Sequence, residues 1–175
     1  MTTLDTRIKQ SIRDIPDFPK PGIIFKDITP VVADPPLFRD VIAAFADRYQ
    51  GKGLTTIIGI ESRGFIFGSA LAHKMGLPFH LVRKKGKLPY KTIQTSYDLE
   101  YGSATIEMHV DAITPTDVVL VVDDLLATGG TAAAACELVS RQGGRVHECA
   151  FMVELDFLNG RKLLKDTPVF SLVHY

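Results

Sequence analysis

The stretch from residue 118 to residue 131, VVLVVDDLLATGGT, limits the possible folds more than any other part of the chain. Val118 to Val122 is an apolar run rich in β-branched side chains, which suits a strand covered on both faces, as in a parallel sheet. Asp123 and Asp124 end the run, and Ala127 to Thr131 follows as a turn of small residues with two adjacent glycines. TAAAACELVSRQ then reads as a helix that Gly143 and Gly144 stop. A strand, a tight turn and a helix start in this order gather backbone N–H groups and the positive end of the helix dipole around one point. That point suits a phosphate. Aspartates at the carboxyl end of the strand repel phosphate oxygens but accept hydrogen bonds from hydroxyls, so the pair suggests a ribose beside the phosphate. A metal held by the aspartates is the rival reading.

A chain of 175 residues, 46% hydrophobic, supports a single α/β domain over 1–175 with a full core. Lys plus Arg equals Asp plus Glu at 20 each, so no global field draws the chain to nucleic acid or to an acidic membrane. Any polyanion site has to be built locally. The first residues, MTTLDTRIKQ, lack an apolar signal core, and no apolar run approaches the roughly 18 residues of a membrane span. A cytoplasmic protein is expected. Cys136 and Cys149 lack C-x-x-C spacing, and the five histidines form no H-E-x-x-H, so buried thiols and no zinc site are expected. Gly59 and Gly64 have Walker-type spacing but are followed by Phe65 and Ile66, and no G-x-G-x-x-G occurs.

Taken in order, Leu4, Ile8 and Ile12 predict a short amphipathic helix. Residues 14–36 read as an extended, ordered and functional segment, because its prolines break helices while Phe18, Ile23, Ile24 and Phe25 call for burial. Leu37, Val41, Phe45 and Tyr49 mark a helix with Asp34 as its N-cap. Residues 54–60 form a buried strand that runs into Glu61, Ser62, Arg63 and Gly64, a second strand-to-helix turn facing a ligand, and the helix after it ends at Gly76. PFHLVRK returns as a strand, so a doubly wound parallel sheet is expected. The basic run at Arg83, Lys84, Lys85, Lys87 and Lys91 could close over a polyphosphate, and residues 83–110 are assigned as a flexible loop and hairpin, too polar for the central sheet. VHECAFMVEL is a further strand, 157–165 a short helix and PVFSLVHY the last strand.

The strand, acidic pair and T-G-G-T turn resemble the phosphoribosyl pyrophosphate (PRPP) motif of the type I phosphoribosyltransferases, and within that family the chain looks most like the adenine-specific members. DFPKPGIIFKDITP, ESRGF, RKKGKLP with SYDLEYG, and VELDFLNGRKLL carry the likeness in the right order. The resemblance implies an α/β fold of that type: a central parallel sheet flanked by helices, with a small hood hairpin. It also implies transfer of the 5-phosphoribosyl group from PRPP to adenine, giving AMP and pyrophosphate, with Mg2+ bound mainly through the diphosphate and not by protein ligands. A homodimer is implied as well.

By the same resemblance, the 118–142 unit binds PRPP through Asp123, Asp124, Leu125, Ala127, Thr128, Gly129, Gly130 and Thr131. Ser62 and Arg63 would take the diphosphate across a cis Glu61–Ser62 peptide, helped by Arg83, Lys84, Lys87 and Tyr101. Arg63 and Glu100 are the catalytic candidates, Glu100 for the proton that N9 of the base must lose. Ile24, Phe25 and Lys26 in the 14–36 segment, with Leu155, would bind adenine. Lys26, Lys85 and Tyr90 depart from common family residues. A PRPP-sensing regulator would need a DNA-reading domain, and a phosphohydrolase built on Asp123 and Asp124 would release phosphate with no base present.

Overall fold

The computed structural model describes residues 2–98 and 102–175. The chain falls into two compact units, residues 1–48 and 49–175.

In the first unit, helix α1 (Leu4–Ser11) is capped by Thr3, whose Oγ1 accepts from the Thr6 amide at 3.3 Å. Strands β1 (Arg13–Pro16) and β2 (Ile24–Asp27) then pair antiparallel, with Ile15 opposite Phe25. Two ion pairs fasten this hairpin, Arg13 to Asp27 at 2.7 Å and Lys26 to Asp14 at 2.6 Å. Helices α2 (Thr29–Ala33) and α3 (Pro35–Tyr49) follow. Asp34 caps α3 as the sequence implies, its Oδ1 accepting from the Leu37 amide at 3.0 Å.

The second unit is built on β3 (Thr56–Ile60), α4 (Gly64–Met75), β4 (Phe79–Lys84), β5 (Thr92–Asp98), β6 (Ser103–His109), β7 (Val118–Leu126), α5 (Gly130–Arg141), β8 (Arg145–Glu154) and β9 (Val169–His174). These strands form one seven-stranded sheet in the order β5-β6-β4-β3-β7-β8-β9. The run β4-β3-β7-β8-β9 is parallel, and its central strands are buried on both faces. Helix α4 ends where Gly76 takes the left-handed conformation, φ 67°, which a side chain would disfavour.

Three local expectations change. The polar hairpin β5–β6 does not stand apart from the sheet; it extends it, because β6 pairs antiparallel with the end of β4 at Arg83 and Lys84. One buried face suffices for an edge hairpin, so Ile106 and Met108 enter the core while the strands stay half polar. Strand β7 runs past the aspartates to Leu126, since its pairing with β8 continues to Leu126 opposite Glu154. The segment predicted as a helix at 157–165 is two 3-10 turns, Asp156–Leu158 and Gly160–Leu163.

Glu107 is the least expected core residue, 2% exposed on β6. One of its oxygens accepts from the backbone amides of Lys87 and Leu88, each at 2.9 Å, and the other lies 3.3 Å from the Thr92 hydroxyl and from the Gln94 amide. Burial works against its charge, but the amides of the basic loop outweigh it and hold the carboxyl below its ordinary value. Glu107→Ala leaves the part-buried Lys87 and Leu88 amides without this acceptor, so a loss of about 1–2 kcal/mol is expected in chemical denaturation. A variant as stable as the parent would show that water replaces the carboxylate.

Candidate active site

The chain enters the parallel sheet at β3, moves to β4 on one side, and later returns to β7 on the other side of β3. Ligands of open α/β sheets bind at such a reversal, outside the carboxyl ends of the strands. Here the loop after β3 carries Glu61, Ser62 and Arg63, and the end of β7 carries the acidic pair. Both open on one cleft of about 440 Å3, whose walls also include Arg83, Lys84, Tyr97, Leu125, Ala127 and Thr131. The Glu61–Ser62 peptide is cis.

A smaller hollow of about 80 Å3 adjoins it, walled by Leu125 to Thr131. Gly129 stands at the N-cap of α5 with φ 87° and brings no side-chain acceptor to the amides of the first helical turn. A polar ligand is the natural partner for such amides. The loop is also pinned from behind: a Cβ on Gly129 would strike the Gly160 carbonyl, and a Cβ on Gly160 would strike the Ala127 carbonyl. Nothing in the sequence marks Gly160, because its partners Ala127 and Gly129 lie far from it along the chain.

Asp124 is 4% exposed, and Arg63 Nε lies 3.0 Å from its Oδ2. The approach makes an ion pair without hydrogen-bond alignment, so this buried oxygen lacks a hydrogen-bond donor. Asp123 Oδ1 accepts from the Asp124 amide at 2.8 Å. Burial, then repulsion from Asp124, pushes the Asp123 carboxyl well above its ordinary value; burial also raises Asp124, against the pull of Arg63. Two crowded carboxylates with an unsatisfied oxygen are poised to accept from hydroxyls or from a hydrated cation.

On the cation side of the cleft, Arg83 and Lys87 both grip Glu61, at 3.2 and 3.0 Å. Thr131 donates its hydroxyl to the Tyr97 hydroxyl at 2.9 Å, which ties β5 to the small-residue loop. Sequence reasoning places Glu61 in the ligand-facing turn but not against the hood cations, and it misses Tyr97 and Glu107, since nothing local marks their long-range partners. Glu100 and Tyr101 lie outside the described residues. Leu155 follows β8 and donates its amide to the Leu126 carbonyl at 3.0 Å. In the first unit, Ile24 is exposed and Phe25 packs edge-on against Phe18, with ring centroids 5.2 Å apart. Among the described residues Glu154, Asp156 and His174 also cluster, but Arg161 and Ser171 already occupy both oxygens of Glu154.

Comparison with known proteins agrees with this geometry. The phosphoribosyl transferase domain family matches residues 29–173. The chain belongs to the phosphoribosyltransferase family. It is 56% identical to the adenine phosphoribosyltransferase of Nitrosococcus oceani over 97% of this chain and 99% of that protein. The solved adenine phosphoribosyltransferase of Thermoanaerobacter pseudethanolicus superposes with a TM-score of 0.95 at 47% identity, covering 99% of this chain and 100% of that one. The Saccharomyces cerevisiae enzyme, solved with an imino-altritol bisphosphate and adenine, gives 0.92 at 42% identity over 97% and 98% of the two chains. The seven-stranded, mostly parallel sheet flanked by helices is thus a phosphoribosyltransferase sheet, with its hood hairpin joined to one edge.

Proposed function

We propose that the cleft between the carboxyl ends of β3 and β7 is where the chain transfers the 5-phosphoribosyl group of PRPP to adenine, giving AMP and pyrophosphate in purine salvage. The observation that carries the reading is the meeting of the acidic pair and the Ala127–Thr131 loop with Ser62 and Arg63 in one cleft. A 5-phosphate fits the α5 loop, where Ala127, Thr128, Gly129, Gly130 and Thr131 offer amides and hydroxyls beside Leu125. The ribose hydroxyls fit Asp123 and Asp124, and the diphosphate then reaches Ser62 and Arg63.

Displacement at the anomeric carbon builds negative charge on the leaving pyrophosphate, so positioning and charge stabilisation carry the catalysis. Arg63, Arg83, Lys84 and Lys87 supply that charge. Mg2+ adds charge neutralisation on the diphosphate when bound. The unsatisfied Asp124 oxygen fits a water of such a hydrated cation as well as it fits a hydroxyl. Glu100 takes the proton from N9 of the base and Tyr101 orders the hood, both assignments resting on family likeness. Ile24, Phe25 and Lys26 recognise the base, the backbone carbonyls accepting from the 6-amino group, and Leu155 packs on its ring.

Family likeness also supports a homodimer. No helix among the described residues is long and apolar enough to cross a membrane, and a cytoplasmic location accords with the soluble substrates. The test is pyrophosphate release from PRPP and Mg2+ with adenine, hypoxanthine, guanine, xanthine, orotate or no base. Release with adenine alone, matched by AMP, is expected. Release with another base would overturn the base assignment, and binding without turnover would make the chain a sensor.

A further inference from the structure

Glu61 stands at the mouth of the cleft, next to Ser62 and Arg63, yet its carboxylate turns toward the hood cations and not toward solvent. Its Oε1 accepts from Lys87 Nζ at 3.0 Å and from Arg83 Nη2 at 3.4 Å. Its Oε2 accepts from the Lys84 amide at 3.0 Å and from Arg83 Nε at 3.2 Å. Two anionic oxygens meeting two cationic side chains and a backbone amide reproduce what one end of a diphosphate would present to the same groups. The Glu61 side chain is 11% exposed, while Lys87 opposite it stays half exposed and within reach of an incoming ligand.

We propose that Glu61 is a surrogate anion: it occupies the Arg83 and Lys87 side chains and the Lys84 amide while the site is empty and surrenders them to the diphosphate when PRPP enters. The proposal rests on the reading of the cleft as a PRPP site and adds a positioning residue to it. Its purpose is physical. Without a counter-charge, the hood cations would repel one another and Arg63 across an open cleft, and the loop would have to be ordered anew at each binding event. With Glu61 they are held in place, and incoming phosphates exchange one set of charge-assisted bonds for another. The exchange makes diphosphate binding weaker than the cations alone would give, which lets pyrophosphate leave after transfer.

Two features separate this role from plain scaffolding. The backbone of the basic loop is anchored elsewhere, by Glu107 through the Lys87 and Leu88 amides, so losing Glu61 frees side chains without unfolding the loop. Protonation does not open the latch either. Burial opposes the charge of Glu61, but hydrogen bonds from Lys87, Lys84 and Arg83 outweigh it and bring the carboxyl down to about 2. Its stabilising contribution is therefore present above the ordinary carboxylate range and lost only as pH falls through about 2, which leaves a competing anion as the release.

The experiment titrates inorganic pyrophosphate with Mg2+ into the full-length parent, Glu61→Gln, Lys87→Ala and the double variant by calorimetry, with steady-state kinetics and melting curves alongside. Glu61→Gln should bind pyrophosphate about tenfold more tightly and lower both KM for PRPP and kcat, with KM for adenine unchanged. Glu61→Asp, which keeps the charge, should restore kcat toward the parent. In the Lys87→Ala background the gain should shrink to about threefold or less, because one released cation is missing. Unchanged or weaker pyrophosphate binding in a folded Glu61→Gln protein overturns the proposal, and so does a full tenfold gain without Lys87, which would be a general charge effect. A parent that makes no AMP removes the underlying reading, and the proposal with it.

Discussion

Arg63→Ala should lower kcat/KM for PRPP by about 30- to 1000-fold, which corresponds to roughly 2–4 kcal/mol of transition-state stabilisation. The guanidinium sits at the first turn after β3, 3.0 Å from Asp124, so it faces both the carboxylates proposed for the ribose and the proposed path of the leaving group. Removing it deletes a preorganised positive charge and leaves Asp124 without its counter-ion. Arg63→Lys keeps a charge but loses the planar fork, and should recover only part of the loss. Initial rates with a melting curve on each variant provide the check. Parental kcat/KM in Arg63→Ala would remove the residue from the mechanism.

Asp123→Asn should move activity and stability in opposite directions. PRPP turnover should fall by at least about 100-fold, because the ribose hydroxyls lose a charged acceptor. The free protein, however, should become more stable by on the order of 1 kcal/mol, or about 2–4 °C in Tm. Burial and the neighbouring Asp124 hold the Asp123 carboxyl well above its ordinary 3.8, so the folded protein binds that proton more tightly than the unfolded chain does. The raised carboxyl thus costs stability at neutral pH, and the cost is relieved as pH falls through the raised value toward 3.8. The gap in Tm between parent and variant should accordingly be widest at neutral pH and close on acidification. A less stable Asn variant at pH 7 would mean that the carboxylate contributes more through hydrogen bonds than burial takes away.

Much of this site is legible along the chain. The apolar run at Val118, the acidic pair and the two glycines announce a strand, a carboxylate pair at its cleft end and a tight turn into a helix by local chemistry alone. Asp34 and Gly76 mark helix ends for the same reason: each satisfies backbone groups within a few residues of itself. Glu61 and Glu107 are another matter. Glu61 stands in a turn the sequence marks and Glu107 on a strand where nothing singles it out, but each carboxylate gains its partners from donors 13 or more residues away, brought close by strand order. The hairpin within residues 83–110 departs from expectation for a related reason. Alternation describes which side chains share a face, not which neighbouring strand takes up the backbone edge, and here β4 does so at Arg83 and Lys84.

The contact between the Gly129–Ala127 turn and Gly160 carries a consequence for how such a chain can change. Each side chain that could be added at either glycine would meet a main-chain carbonyl first, with the Leu126 side chain a second obstacle at Gly160. Shrinking a neighbour cannot open room, because carbonyls are present in every residue. The two positions are therefore locked independently, with no compensating partner, and will not reveal their contact by varying together. Sequence drift can reshape the walls of this cleft, but the turn at its floor is held by two stretches of bare main chain that have no alternative residue to offer.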